Sequence, residues 1–161
     1  NVISPTWFRL KDNKGNISSI ASKDYVDYCH AHDVEVWGLV SDFELDGVDS
    51  SYVLTHTSAR QNLVNQLIAV ALQYNLDGIN VDFEAETVTA SSVGDGYIQF
   101  IREFSIKCEN NDIILSTDVR VPAPHNSFFE YGEQSNFVDY VILMAYVIVS
   151  LWAVVQSAKN K

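Results

Sequence analysis

Residues 76–86 read Leu76-Asp77-Gly78-Ile79-Asn80-Val81-Asp82-Phe83-Glu84-Ala85-Glu86. Along an extended strand successive side chains point to opposite faces, so Ile79, Val81 and Phe83 share one face while Asn80, Asp82 and Glu84 share the other. The apolar row is suited to packing under helices. The polar row is out of place in a parallel sheet, where both faces are normally buried and Val, Ile or Leu are expected. Two carboxylates buried side by side are costly unless they share a proton or a charged partner, which points to chemistry rather than to packing. Same-face neighbours lie about 6.6–7 Å apart on a strand, close enough for the charge on Asp82 to favour a protonated Glu84. Glu84 is therefore a candidate general acid. Two other readings use the same residues: a solvated edge strand whose acids discourage edge pairing, and a hard-cation site built from clustered carboxylates. The closely spaced histidine ligands of a transition-metal set are missing.

Outward from this segment, short apolar runs alternate with longer stretches of helical spacing. The predicted strands are Val2–Phe8, Val34–Val40, Gly78–Phe83, Ile113–Val119 and Tyr140–Tyr146, each read as parallel. Between the second and third, Ser58 is a candidate cap for a helix with Leu63, Val64, Leu67, Ile68, Ala71 and Leu72 on one face. A second amphipathic helix is predicted from Asp95 to about Asn110, a shorter one from Ser22 to His32, and a brief one near 127–134. Strands and helices in this order imply right-handed parallel crossovers, hence a doubly wound sheet or a (β/α) barrel. A complete eightfold barrel takes about 250 residues. In the barrel reading this 161-residue chain holds about five β/α units and is incomplete.

Composition narrows the partners. Ten Lys+Arg against 21 Asp+Glu leave a formal charge of −11, which disfavours nucleic acid. The two cysteines, Cys29 and Cys108, make neither a disulfide scaffold nor a paired zinc motif. The uncharged stretch Tyr140–Ala158 is about as long as a membrane span, but its first half reads as a buried strand. The first residues lack the basic and apolar regions of a signal peptide. No GxGxxG or GxxxxGK[ST] follows any strand, so a nucleotide-binding sheet has no support.

The segment Asp77-Gly78-Ile79-Asn80-Val81-Asp82-Phe83-Glu84 resembles the DGxDxDxE signature of glycoside hydrolase family 18, the chitinase-like enzymes, with Asn80 at the middle Asp. Ser4-Pro5-Thr6-Trp7-Phe8 and Val36-Trp37-Gly38-Leu39-Val40-Ser41 resemble the second and third barrel strands of bacterial cell-wall and spore members, and Leu143-Met144-Ala145-Tyr146 resembles the sixth-strand M-x-Y element. The resemblance implies an α/β fold of the (β/α)8 TIM-barrel type, incomplete, spanning the second to sixth strands within 1–146, followed by an unrecognised tail at 147–161. It also implies a retaining glycosidase that cleaves N-acetylglucosamine-containing glycans, of the chitin or peptidoglycan type, by a substrate-assisted route. Glu84 would protonate the glycosidic oxygen, Asp82 would orient the substrate's acetamido group, Tyr146 would hydrogen-bond that group, and Asn80 would support Asp82. No cofactor and no metal are implied. Secretion or association with the wall or spore is the expected setting.

Trp7, Asp118 and Met144 complete the expected substrate-binding set, Trp7 because it lies near a strand end and Asp118 because it shares a strand face with Ser116. Phe8, Trp37 and Trp152 are read as core aromatics. Asp42-Phe43-Glu44-Leu45-Asp46-Gly47 imitates the start of a calcium loop, but Val53 stands at its twelfth position, so the segment is read as a polar loop. Val147 follows Tyr146 where family 18 enzymes usually carry Asp or Asn. With the strands that find no counterpart, it leaves a non-catalytic sugar-binding or remnant protein as the alternative. An open barrel segment with uncharged edges at Val2–Phe8 and Tyr140–Tyr146 is expected to self-associate.

Overall fold

A computed structural model of the chain describes residues 1–42, 47–84, 93–121 and 131–145. The elements are β1 (Val2–Ile3), β2 (Thr6–Leu10), β3 (Ile17–Ser19), α1 (Lys23–His30), β4 (Glu35–Ser41), α2 (Ser50–Thr55), α3 (Thr57–Tyr74), β5 (Gly78–Asp82), α4 (Gly94–Glu109), β6 (Ile114–Arg120), α5 (Tyr131–Gln134) and β7 (Tyr140–Met144). The first predicted strand is split because Pro5 has no N–H to give the ladder. Its two pieces still pair with one neighbour, Val2 opposite Glu35 and Thr6 opposite Leu39, and the register shifts before Phe8 meets Val40.

From β2 onward the parallel strands lie side by side in chain order, β2-β4-β5-β6-β7. A doubly wound sheet reverses its strand order part-way along; winding in one direction is the barrel's. The architecture is part of a (β/α)8-type barrel, and among the described residues the sheet does not close. The antiparallel β3 departs from the all-parallel expectation. The turn after Leu10 folds because Asp12 accepts hydrogen bonds from the backbone N–H groups of Lys14 and Asn16, and Gly15 takes φ +78°, which suits glycine.

The apolar row of β5 meets the helices. Ile79, Val81 and Phe83 are buried, and the Phe83 ring stacks on Phe100 of α4 with centroids 5.7 Å apart. Leu63, Val64, Leu67 and Ala71 of α3 join Ile98, Ile101 and Phe104 of α4 in the same core. Two helix expectations need correction, and one helix was not expected. Helix α3 begins at Thr57, one residue before the proposed cap Ser58, because α2 runs almost directly into it. The separate α2 is capped by Asp49, whose carboxylate accepts from Tyr52 N–H. Leu72 is exposed rather than on the buried face. Residues 127–130 of the brief helix and the tail 147–161, with Trp152, lie outside the described residues. Among the described residues no helix is long and apolar enough to cross a membrane.

At the N-terminal end of β5, the Asp77 carboxylate accepts from Val36 N–H at 2.7 Å and lies 2.8 Å from His30 Nε2, tying three elements together. Next to it, Gly78 leaves room for the Trp37 ring: a Cβ there would stand 2.9 Å from that ring and from the Ile114 carbonyl oxygen. Trp37 thereby reaches across β5 and β6 to Tyr140 of β7, ring centroids 5.1 Å apart.

Helices α3 and α4 are fastened by a nearly buried ion pair. Arg60 donates to both oxygens of Glu103 at 3.0 Å and to the Leu54 carbonyl at 2.8 Å. Burial works to raise the Glu103 pKa, but the hydrogen bonds from Arg60 and Gln99, with the Arg60 charge, outweigh it and hold the carboxyl below its ordinary 4.5. Exposed pairs contribute at most about 1 kcal/mol, whereas breaking a buried one costs about 3–5. This pair is intermediate, so Arg60→Ala is expected to cost about 2 kcal/mol in urea denaturation at pH 7. Because the Glu103 pKa is lowered by folding, its contribution is present above 4.5 and fades as pH falls through the lower folded value, so the deficit should shrink in acid.

Candidate active site

The C-terminal ends of β4, β5 and β6 bring Asp42, Asn80, Asp82, Glu84, Ser116, Asp118 and Arg120 into one neighbourhood. Register explains this. Leu39 lies opposite Asn80 and Ser41 opposite Asp82, while Asn80 lies opposite Ser116, so these residues share the face turned away from the helices. Asn80 is buried and its amide is used at both ends. It accepts from Ser116 Oγ at 2.8 Å and donates through Nδ2 to Asp118 Oδ2 at 3.0 Å. The expected support from Asn80 to Asp82 is thus not what the geometry contains; Asn80 holds Asp118 on the next strand.

Asp82 is the strained member. Among the described residues its Oδ1 is buried with no hydrogen-bond partner. Burial, then the negative charges of Glu84, Asp118 and Asp42, push its carboxyl up from 3.8 to about 7, against the opposing pull of Arg120. The sequence alone did not single out Asp82 for a raised proton affinity. Asp118 is also raised, first by burial and then by Glu84, with the Asn80 hydrogen bond acting the other way.

Glu84 is clamped through its backbone and its carboxylate. Its N–H donates to Asp42 Oδ1 at 2.8 Å, and Arg120 Nη2 donates to its carbonyl oxygen at 3.0 Å and to Oε2 at 3.1 Å. Met144, opposite Arg120 on β7, joins Phe83, Glu84, Asp118, Val119 and Arg120 around a small cavity at the strand ends. Trp7 is not part of this cluster. The register shift between Thr6 and Phe8 upsets simple alternation, and the Trp7 ring packs edge-on against Tyr25 of α1 at 5.6 Å. Tyr146 lies outside the described residues.

Asp42 and Arg120 are contributors that sequence reasoning missed. Asp42 was read as part of a polar loop, yet it is buried immediately after β4, where a barrel places functional groups. Its position one residue past an apolar strand was the available signal. Among the described residues no group of three or more His, Cys, Asp or Glu is arranged to hold a metal ion.

The arrangement sets Asp82, whose proton affinity is raised, beside Glu84 at the C-terminal end of a barrel strand. The family model described as glycosyl hydrolases family 18 matches residues 46–159. The chain belongs to glycosyl hydrolase family 18. Among curated relatives, the uncharacterized glycosylase YvbX of Bacillus subtilis (strain 168) is 24% identical over 165 residues, covering 94% of this chain and 46% of that protein. Among solved structures, a chitinase from Chromobacterium violaceum matches with TM-score 0.76 and 20% identity over 90% of this chain and 48% of its own. The spore cortex-lytic enzyme SleL of Bacillus megaterium matches with TM-score 0.75 and 16% identity over 88% and 34%. The chain spans about half or less of the length of these relatives, and the structural likeness is one of fold, the family 18 TIM barrel.

Between pH 3.8 and about 7 the folded chain holds a proton on Asp82 that the unfolded chain has released, so this group makes stability fall as pH rises through that window. Asp82→Asn is therefore expected to melt higher than the parent at pH 8 and to lose the advantage near pH 4. Discounted for partial exposure, the gain is on the order of 1 kcal/mol. Thermal unfolding of both proteins across that range is the check; a variant less stable at pH 8 would show that the Asp82 charge is well compensated.

Proposed function

We propose that this chain carries the acid-bearing part of a retaining glycosidase for N-acetylglucosamine-containing glycans of the chitin or peptidoglycan type. The observation that carries the reading is the buried Oδ1 of Asp82, unpartnered among the described residues, beside Glu84 at the mouth of the barrel segment. An acceptor in that state suits a substrate N–H such as that of an acetamido group. In the proposed reaction the acetamido oxygen of the substrate attacks C1 as the glycosidic C–O bond breaks, and Glu84 gives its proton to the departing oxygen. Water then opens the oxazolinium, returning a proton to Glu84. Asp82 orients the acetamido group and offsets the positive charge that develops on it, Tyr146 adds a hydrogen bond, and Asn80 acts indirectly by fixing Asp118. The spore cortex-lytic and chitinase relatives support a wall or spore setting. The exposed side chains of Tyr140, Val141, Ile142 and Leu143 support self-association of the chain, which sedimentation velocity at micromolar concentration reads directly.

Glu84→Gln keeps the shape of the side chain and removes the transferable proton. Turnover of chito-oligosaccharides is expected to fall roughly 10²- to 10⁴-fold with binding largely retained. A substrate whose cleaved sugar bears a free amine in place of the acetamide should not react even with the parent protein. Full turnover by the Gln variant would move the acid elsewhere, and a parent that binds chito-oligosaccharides without cleaving them would leave the non-catalytic sugar-binding alternative.

A further inference from the structure

Arg120 brings a cation into a cluster of carboxylates. Its guanidinium sits on the carbonyl and carboxylate oxygens of Glu84, the group proposed to reach the glycosidic oxygen. Oligomers of N-acetylglucosamine carry no formal charge, so nothing in them calls for a fixed cation beside the bond to be cleaved. Nor is the arginine fully committed to its present partner. Only Nη2 is engaged, by the carbonyl and Oε2 of Glu84, and among the described residues Nη1 and Nε donate to none. The side chain is 41% exposed and lies beside Asp118 and Met144 around the small cavity at the strand ends. A guanidinium presents its donors as a planar fork that matches a carboxylate through two parallel hydrogen bonds, a geometry an ammonium lacks.

We propose that Arg120 is a specificity-determining residue that takes a carboxylate borne by the glycan next to the cleaved bond, so that the site selects acid-bearing amino-sugar strands over neutral ones. The inference rests on the reading of this cluster as a glycosidase site and narrows its substrate class. In the structure Glu84 occupies part of the fork. A substrate carboxylate binds the remaining donors, draws the guanidinium toward itself and loosens its hold on Glu84. The same residue thereby couples recognition of the correct strand to release of the acid, while a neutral strand leaves the Arg120–Glu84 pair intact. The surrounding carboxylates make this contact selective, because an acidic ligand without an arginine to meet it is repelled by Asp82, Glu84 and Asp118.

The test is calorimetric binding to the full chain of three tetrasaccharides. One alternates N-acetylglucosamine with N-acetylmuramic acid, the second is the same strand with its lactyl carboxyls amidated, and the third is chitotetraose. The parent is expected to bind the free-acid strand roughly 10- to 100-fold tighter than the amidated one, the range for hydrogen bonds to a charged group. Arg120→Gln should bring that ratio close to one, and Arg120→Lys should restore part of it, with the charge kept and the fork lost. Equal binding of the acid and amidated strands by the parent overturns the inference whatever the variants do, and needs no variant to fold. A preference that survives Arg120→Gln in a variant melting like the parent overturns it too. Binding of none of the three removes the glycosidase reading and the inference with it, whereas binding of chitotetraose as tightly as the acid strand removes the inference alone.

Discussion

The inner face of β5 carries acids where a parallel sheet ordinarily carries hydrocarbon, and much of the surrounding arrangement accommodates that fact. Carboxylates held this close destabilise one another and lose hydration. The chain meets the cost in three ways. Asn80 turns its amide to Asp118 and takes the Ser116 hydroxyl, so one carboxylate is hydrogen-bonded within the sheet. Asp42 is turned to the backbone N–H of Glu84, and Arg120 takes the Glu84 carboxylate. Asp82 has neither device at its Oδ1, and there the residual cost shows as a carboxyl that holds its proton to about pH 7. Uncompensated buried groups of this kind cluster at functional sites, where strain is tolerated because the surrounding structure holds it in place.

On the other face of β5 the physics is ordinary. Ile79, Val81 and Phe83 pack against α4 and the neighbouring core, and the stack of Phe83 on Phe100 fixes how that helix lies along the strand. This packing turns the acids inward, since the pleat allows no other side once the apolar row is buried. The Arg60–Glu103 pair holds α3 and α4 together behind the sheet. The site's geometry thus depends on helices that contribute no residue to it.

Much of this was legible in the residues because it follows from a period of two. The polar row of β5, the five parallel strand positions and the buried faces of α3 and α4 are all consequences of alternation or helical spacing. What was not legible depends on neighbours that spacing cannot name. Alternation says that Asn80 and Asp82 share a face, but whether Asn80 serves Asp82 or reaches sideways to Asp118 is decided by the register with β6. Trp7 was singled out by its place near a strand end, and the register shift beside Phe8 accompanies its packing on Tyr25 instead. Asp42 was obscured by a stretch that looked like a failed calcium loop, so its position directly after a buried strand went unweighted. The strand β3, three residues with two serines, is too short and too polar to announce itself.

That small strand makes the two sides of the sheet unequal. Along Phe8–Leu10 the outward N–H and C=O groups of β2 are already taken by Ile17–Ser19 running the opposite way. Among the described residues β7 has a neighbour on one side only, with exposed apolar side chains. Any further strand that joins in parallel therefore finds a full-length template at β7 and only the stretch before Phe8 at the other margin. The sheet has a direction of growth, and a copy approaching β2 head-on would have to peel away β3 before it formed a continuous ladder.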